Sequence, residues 1–228
     1  MKARIFIIVI LFIAGIGIML YPTYTKYKTA KKQESMMSDL KDQIKKNKKK
    51  QSDNKEDSNG EVKKSAYDPE LVKQEVELLQ LEENENVTEK YNKEELLKQQ
   101  KVIGIINIPS INIEFPIVEG SNRANIAVAI GHMKGTSAIG GEGNCVLAGH
   151  HGGIYGKFFK ELEKVDKKDK VVLTDEYGTS YNYIVYESFK VKPSDVYVTD
   201  NMEGYILTMI TCQDNGKNRL VVRAKLDK

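Results

Sequence analysis

Cysteine and histidine are scarce in this chain, with two Cys and three His among 228 residues. Two cysteines cannot build a disulfide framework. No Cys-x-x-Cys pair and no His/Cys cluster at metal-ligand spacing occurs, so a structural zinc site has no ligand set. Neither sign of charge dominates. Lys and Arg number 35 against 32 Asp and Glu, a net charge of +3, and no overall basic character points to nucleic acid. The strand–helix–strand rhythm of a parallel α/β sheet is also missing. Only one long uncharged run exists, and no second apolar span follows Leu226.

That run is Ile5–Tyr21, 17 residues without a charge, preceded by Lys2 and Arg4. Its length sits at the short end of what a helix needs to cross about 30 Å of hydrocarbon. No Ala-x-Ala cleavage site follows it, so an uncleaved anchor over residues 1–21 is expected rather than a cleaved signal. Lys26, Lys28, Lys31 and Lys32 come soon after the run, which by itself favours the C-terminal side in the cytoplasm. Residues 22–66 are polar and lysine-rich and predict an unfolded basic linker. Residues 67–100 open with Asp68-Pro69, an N-cap followed by proline at the first helical position. Leu71, Val72, Val76 and Leu79 follow at helical spacing, and Asn92 with Glu95 suggests a second helix start. These short helices are either a spacer or packed on the domain.

Residues 101–228 change texture. Val102–Ile108, Ile111–Val118, Asn144–His151, Lys170–Thr174, Ser180–Val191, Gly204–Cys212 and Arg219–Leu226 read as strands. Asn122–Ile130 and Tyr155–Val165 read as short helices, and Gly131–Gly143 as a glycine-rich loop. Seven or eight short strands with turns about every 8–12 residues predict a closed or nearly closed β-barrel.

Three chemically capable groups fall at strand ends. His150 or His151 closes one strand, Cys212 closes another, and Arg219 opens the last. A thiolate can attack a carbonyl. A histidine can protonate a leaving amine, and an arginine can hydrogen-bond an oxyanion. These are the parts for acyl transfer through a thioester, though spacing alone does not bring His150 to Cys212. Arg223 rivals Arg219, because residues 219, 221 and 223 share one strand face. Cys145 reads as a small core residue, and His132 as a structural histidine in the glycine loop. Glu119 and Glu142 alone do not make a metal site.

The run TMITC (Thr208–Cys212) resembles the Thr-Leu-x-Thr-Cys signature of the sortases, and LAGHH (Leu147–His151) resembles their histidine motif. RLVVRAK (Arg219–Lys225) resembles their final-strand arginine motif, and Gly131–Asn144 their loop before the histidine strand. The resemblance spans about Val102 to Leu226 and departs at Ile139, where many relatives have proline. It implies a mainly β fold: a closed eight-stranded barrel with one or two short helices, behind an N-terminal transmembrane helix and linker. It implies His150, Cys212 and Arg219 as catalytic residues, with Thr208, Thr211 and His151 beside the substrate. It further implies cleavage of an LPxTG-like sorting signal between Thr and Gly and transfer of the acyl group to an amino nucleophile of a cell-wall precursor. No cofactor, metal or nucleic acid is required. The membrane would be met through the N-terminal helix, with the N-terminus cytoplasmic and the domain on the wall side. A class A-like or class D-like branch is expected. A tethered cysteine peptidase that only hydrolyses, and a non-catalytic barrel that binds peptide or wall polymer, are the alternatives.

Overall fold

The computed structural model describes residues 2–53, 67–81, 100–151 and 158–227. Eight strands alternate with short turns from residue 102 onward. They are β1 (Val102–Ile108), β2 (Ile113–Glu119), β3 (Ile130–His132), β4 (Gly143–Ala148), β5 (Lys170–Asp175), β6 (Ser180–Val191), β7 (Tyr205–Gln213) and β8 (Asn218–Leu226). They close in the order β1-β2-β3-β4-β7-β8-β6-β5, and β5 pairs back onto β1. Closure leaves no open sheet edge. Two pairs are parallel, β2–β3 and β4–β7; the others are antiparallel.

The barrel interior follows the period-2 alternation of each strand. Cys145 and Leu147 of β4, Leu207 and Met209 of β7, and Leu220, Val222 and Ala224 of β8 all enter one core cluster. Their odd or even partners face outward. Phe158, Phe159, Leu162 and Val165 plug the same core from the segment between β4 and β5. Residues 158–164 form turns and a single 3-10 turn rather than the expected helix, and residues 152–157 lie outside the described residues. The expected helix Asn122–Ile130 is one turn, α3 (Arg123–Ile126), and its end passes into β3.

Two helices precede the barrel. α1 (Lys2–Asp53) is continuous for 52 residues and includes Pro22, so the segment expected as an unfolded linker is helical to Asp53. A stripe at helical spacing explains the difference: Thr29, Met36 and Leu40 are buried. Met36 packs on Val118 and Ala129, and Gln33 Nε2 donates to the Val128 carbonyl at 3.0 Å. Further along, Asn47 Nδ2 donates to the Glu176 carbonyl. Among the described residues, no helix is long and apolar enough to cross a membrane. The side chains of residues 1–6 and Val9, which belong to the apolar run, fall outside the described ones.

α2 (Pro69–Leu81) packs on the outside of the barrel. The Asp68 side chain caps it, accepting from the Glu70 and Leu71 backbone N–H groups. Glu75 is buried and accepts hydrogen bonds from Ser121 N–H at 2.6 Å and Ser121 Oγ at 2.7 Å. Gly135 permits this approach: it has φ +83°, and a Cβ there would lie 2.5 Å from the Asp68 carbonyl oxygen. The second helix expected near Asn92 lies outside the described residues.

Candidate active site

Cys212 is the penultimate residue of β7, and its antiparallel partner across to β8 is Arg219. Directly opposed residues of an antiparallel pair present their side chains on one face, with Cβ atoms about 5 Å apart. Since Leu207 and Met209 point into the core, Cys212 belongs with Thr208 and Ile210 on the outer face. The thiol is half-buried, and neither Cys212 nor the fully buried Cys145 forms a disulfide. Arg219 Nη1 donates to the Gly216 carbonyl at 3.1 Å and to the Asn218 carbonyl at 3.4 Å. The β7–β8 turn thereby holds the guanidinium at the strand opening.

His150 reaches the same place from the other neighbour of β7. The parallel β4–β7 register pairs Ala148 with Ile210, and the Gly149 N–H continues it by donating to the Ile210 carbonyl at 3.1 Å. His150 follows two residues after the last pair of that register, at the same end of the barrel as Cys212. β4 ends at Ala148, so the histidine lies just past the strand rather than within it. Gly149 is demanded by packing, because a Cβ there would come 2.8 Å from both Ile130 Cδ1 and Phe159 Cδ2. The His150 carbonyl accepts from Phe159 N–H at 3.0 Å, which ties the exit of β4 to the core plug.

The other sequence-derived residues go elsewhere. Arg223, the rival arginine, pairs across to Thr208 and Glu187, about 13 Å down β8 from Arg219. Its Nη1 meets Glu187 Oε1 at 3.2 Å, and its guanidinium lies over the Phe189 ring. Thr208 is fully buried and donates to Asn144 Oδ1 at 2.7 Å. Asn144 in turn donates to the Val198 and Asp200 carbonyls. Thr208 therefore fastens the β6–β7 connection to the barrel and is not presented to a peptide. Thr211 is 2% exposed, and its parity turns it to the inner face, away from the thiol. His151 is half-buried and lies near Asp214 of the β7–β8 turn, whose carboxyl is held below its usual value by Asn218 and Lys190, with His151 adding to the effect. Asn144 was invisible to motif reading; a buried asparagine inside an apolar strand was its only signal.

His132 is buried at the opposite end of the barrel. Its Nδ1 lies 3.2 Å from Glu119 Oε1 and its Nε2 2.9 Å from the Ser137 carbonyl. Both partners are acceptors, an arrangement that a doubly protonated ring satisfies with one N–H on each nitrogen. Burial pushes its pKa down, but contacts with Cys145 and Glu119 outweigh it and raise the pKa well above the usual 6.5. A cavity of about 330 Å³ adjoins it, lined in part by Lys101, Glu119, Asp175 and Tyr181, at the end of the barrel away from Cys212. Among the described residues, no three His, Cys, Asp or Glu side chains converge as metal ligands would.

The thiol and guanidinium are thus cross-strand neighbours, and His150 follows β4 at the same end of the barrel, an arrangement that can support acyl transfer. Comparison with known proteins bears on the family. A sortase domain family model matches residues 106–227. Sortase A of Streptococcus agalactiae is 38% identical over 133 residues, covering 56% of this chain and 53% of the relative. Sortase A of Listeria monocytogenes is 33% identical over 129 residues, covering 56% and 57%. The chain spans about half the length of these curated relatives. The crystal structure of Listeria monocytogenes sortase A superposes with a TM-score of 0.52 at 32% identity, covering 56% of this chain and 88% of that one. A Clostridium perfringens sortase D5 transpeptidase gives 0.52 at 28% identity, covering 70% and 99%. With its closed barrel and its Cys–Arg strand pair inside the matched region, the chain belongs to the sortase family.

Proposed function

We propose that the chain is a cysteine transpeptidase that cleaves an LPxTG-like sorting signal between Thr and Gly and transfers the acyl half to an amino nucleophile of a cell-wall precursor. The observation that carries this reading is the direct pairing of Cys212 with Arg219, with His150 just past the end of the neighbouring strand β4. The Cys212 thiolate attacks the threonine carbonyl, and Arg219 donates to the oxyanion. His150 gives a proton to the leaving glycine amine, and a thioester forms as the peptide bond breaks. An incoming amine then attacks the thioester, loses its proton to His150, and releases the Cys212 thiolate.

The N-terminal run supports membrane anchoring of the enzyme. Ile8, Phe12 and Met19 are strongly exposed along α1 and would suit a lipid environment. A wall-side substrate requires the N-terminus inside, and the lysines after the run would then meet anionic lipid or wall polymer. Protease shaving of intact cells tests the orientation: the barrel is expected to be removed, and its survival until lysis would overturn the reading.

A peptide-library cleavage assay, with and without an added amine, tests the activity. The expected products are the free glycine fragment and an amide with the added amine. Release of free acid alone at high amine concentration would instead indicate a hydrolytic peptidase.

A further inference from the structure

Ile210 lies two residues from Cys212 on the same outer face, roughly 7 Å along β7. It is half-buried and packs against two separate groups. One is Val72, from the segment ahead of the barrel, with Met133 and Val146, a cluster on which Tyr67 and Val76 also pack. The other is Val191 and Val198, from the strand and connection before β7, with Val221 of β8, a cluster on which Phe189 also packs. Ile210 is therefore the floor between α2 on one side and the β6–β7 connection on the other. Tyr67 also approaches that connection: burial and the nearby Asp200 carboxylate raise its hydroxyl pKa. The surface running down β7 from the thiol thus ends against α2, which the buried Glu75–Ser121 hydrogen bonds fix in place.

We propose that α2 and its lead-in are the end wall of the peptide groove, and that Tyr67 and Val76 are specificity-determining residues for the peptide side chain that reaches Ile210. This rests on the transpeptidase reading above. An extended peptide advances about 3.3 Å per residue, so a peptide whose carbonyl sits at Cys212 brings a side chain to Ile210 about two residues from the scissile bond. The wall there is apolar apart from one phenol. It fits an aliphatic side chain and excludes a charged one, since burying an unpaired charge costs far more than a methylene contact contributes. Substrate choice would then depend in part on residues outside the barrel.

The test uses the full chain and a peptide set varied two to four residues on either side of the scissile bond, with small, large aliphatic and charged side chains. The variants are Tyr67→Ala, Tyr67→Phe and Val76→Ala, with thermal melts to establish that each is folded. The expected result is a shift of at least about 5-fold in the relative kcat/KM for small against large side chains at one position in Tyr67→Ala and Val76→Ala. Tyr67→Phe should keep the wild-type preference. An equal loss on all peptides, or unchanged ratios in folded variants, would overturn the assignment of the wall. Failure of the wild type to cleave any peptide is a different outcome, and it would overturn the transpeptidase reading and the wall together.

Discussion

Arg219 and Arg223 share a strand face, yet only the first sits across from a thiol. Arg223 is occupied by Glu187 and Phe189, while Arg219 is held by turn carbonyls at the strand opening. Removing one oxyanion donor costs about 100- to 1,000-fold in kcat. Arg219→Ala is therefore expected to lose at least that much peptide cleavage, whereas Arg223→Ala keeps cleavage within about 3-fold and loses thermal stability instead. Steady-state kinetics beside melts separate the two, and the reverse pattern would reassign the arginine. His132 gives a second residue-scale expectation. Its folded pKa is raised, so its contribution to stability is fully present below about 6.5, its ordinary value, and is lost as pH rises through the folded value. Glu119, whose carboxyl is lowered despite burial because of His132, acts in the opposite sense, and its contribution is lost on acidification. Melts across pH should show wild-type stability falling above about pH 6.5 relative to His132→Gln. That variant itself should be less stable by on the order of 2 kcal/mol at neutral pH. A wild-type curve parallel to the variant's would contradict a buried imidazolium.

At the scale of elements, α2 is held by a carboxylate with two donors from one serine. Glu75→Ala leaves the Ser121 N–H buried without an acceptor, at a cost of about 1–3 kcal/mol. Amide exchange should then speed in residues 69–81 while β4 and β7 stay protected; unchanged exchange in α2 would show that its apolar face alone fixes it. The sequence made most barrel strands legible because their apolar residues alternate or run continuously, as in Ile206–Cys212. β3 was lost inside a glycine-rich loop, since three residues, Ile130–His132, carry too little pattern to show periodicity. The helical stripe of Thr29, Met36 and Leu40 escaped because only three buried positions stand among many lysines. The nucleophile and arginine were legible as strand-end residues. Their opposition depends on a register that the length and geometry of the β7–β8 turn determine, and the place of His150 depends on a parallel pairing between distant strands. Neither can be read from local spacing.

Across the whole molecule, the closed barrel joins two unlike ends. One gathers Cys212, His150 and Arg219; the other holds the buried His132–Glu119 pair and its cavity. Helices ahead of the barrel lie along its outer wall, with α1 crossing toward Glu176 and α2 closing on Ile210. In the proposed reaction Cys212 carries the acyl group between donor and acceptor. Intact-protein mass spectrometry, on enzyme quenched in acid during turnover of an LPxTG peptide, tests it most directly. The prediction is an adduct of the acyl fragment's mass, localised to Cys212, which disappears when an amine is added and is absent in Cys212→Ala. Peptide cleavage that persists in Cys212→Ala, or an adduct on any other residue, would contradict it.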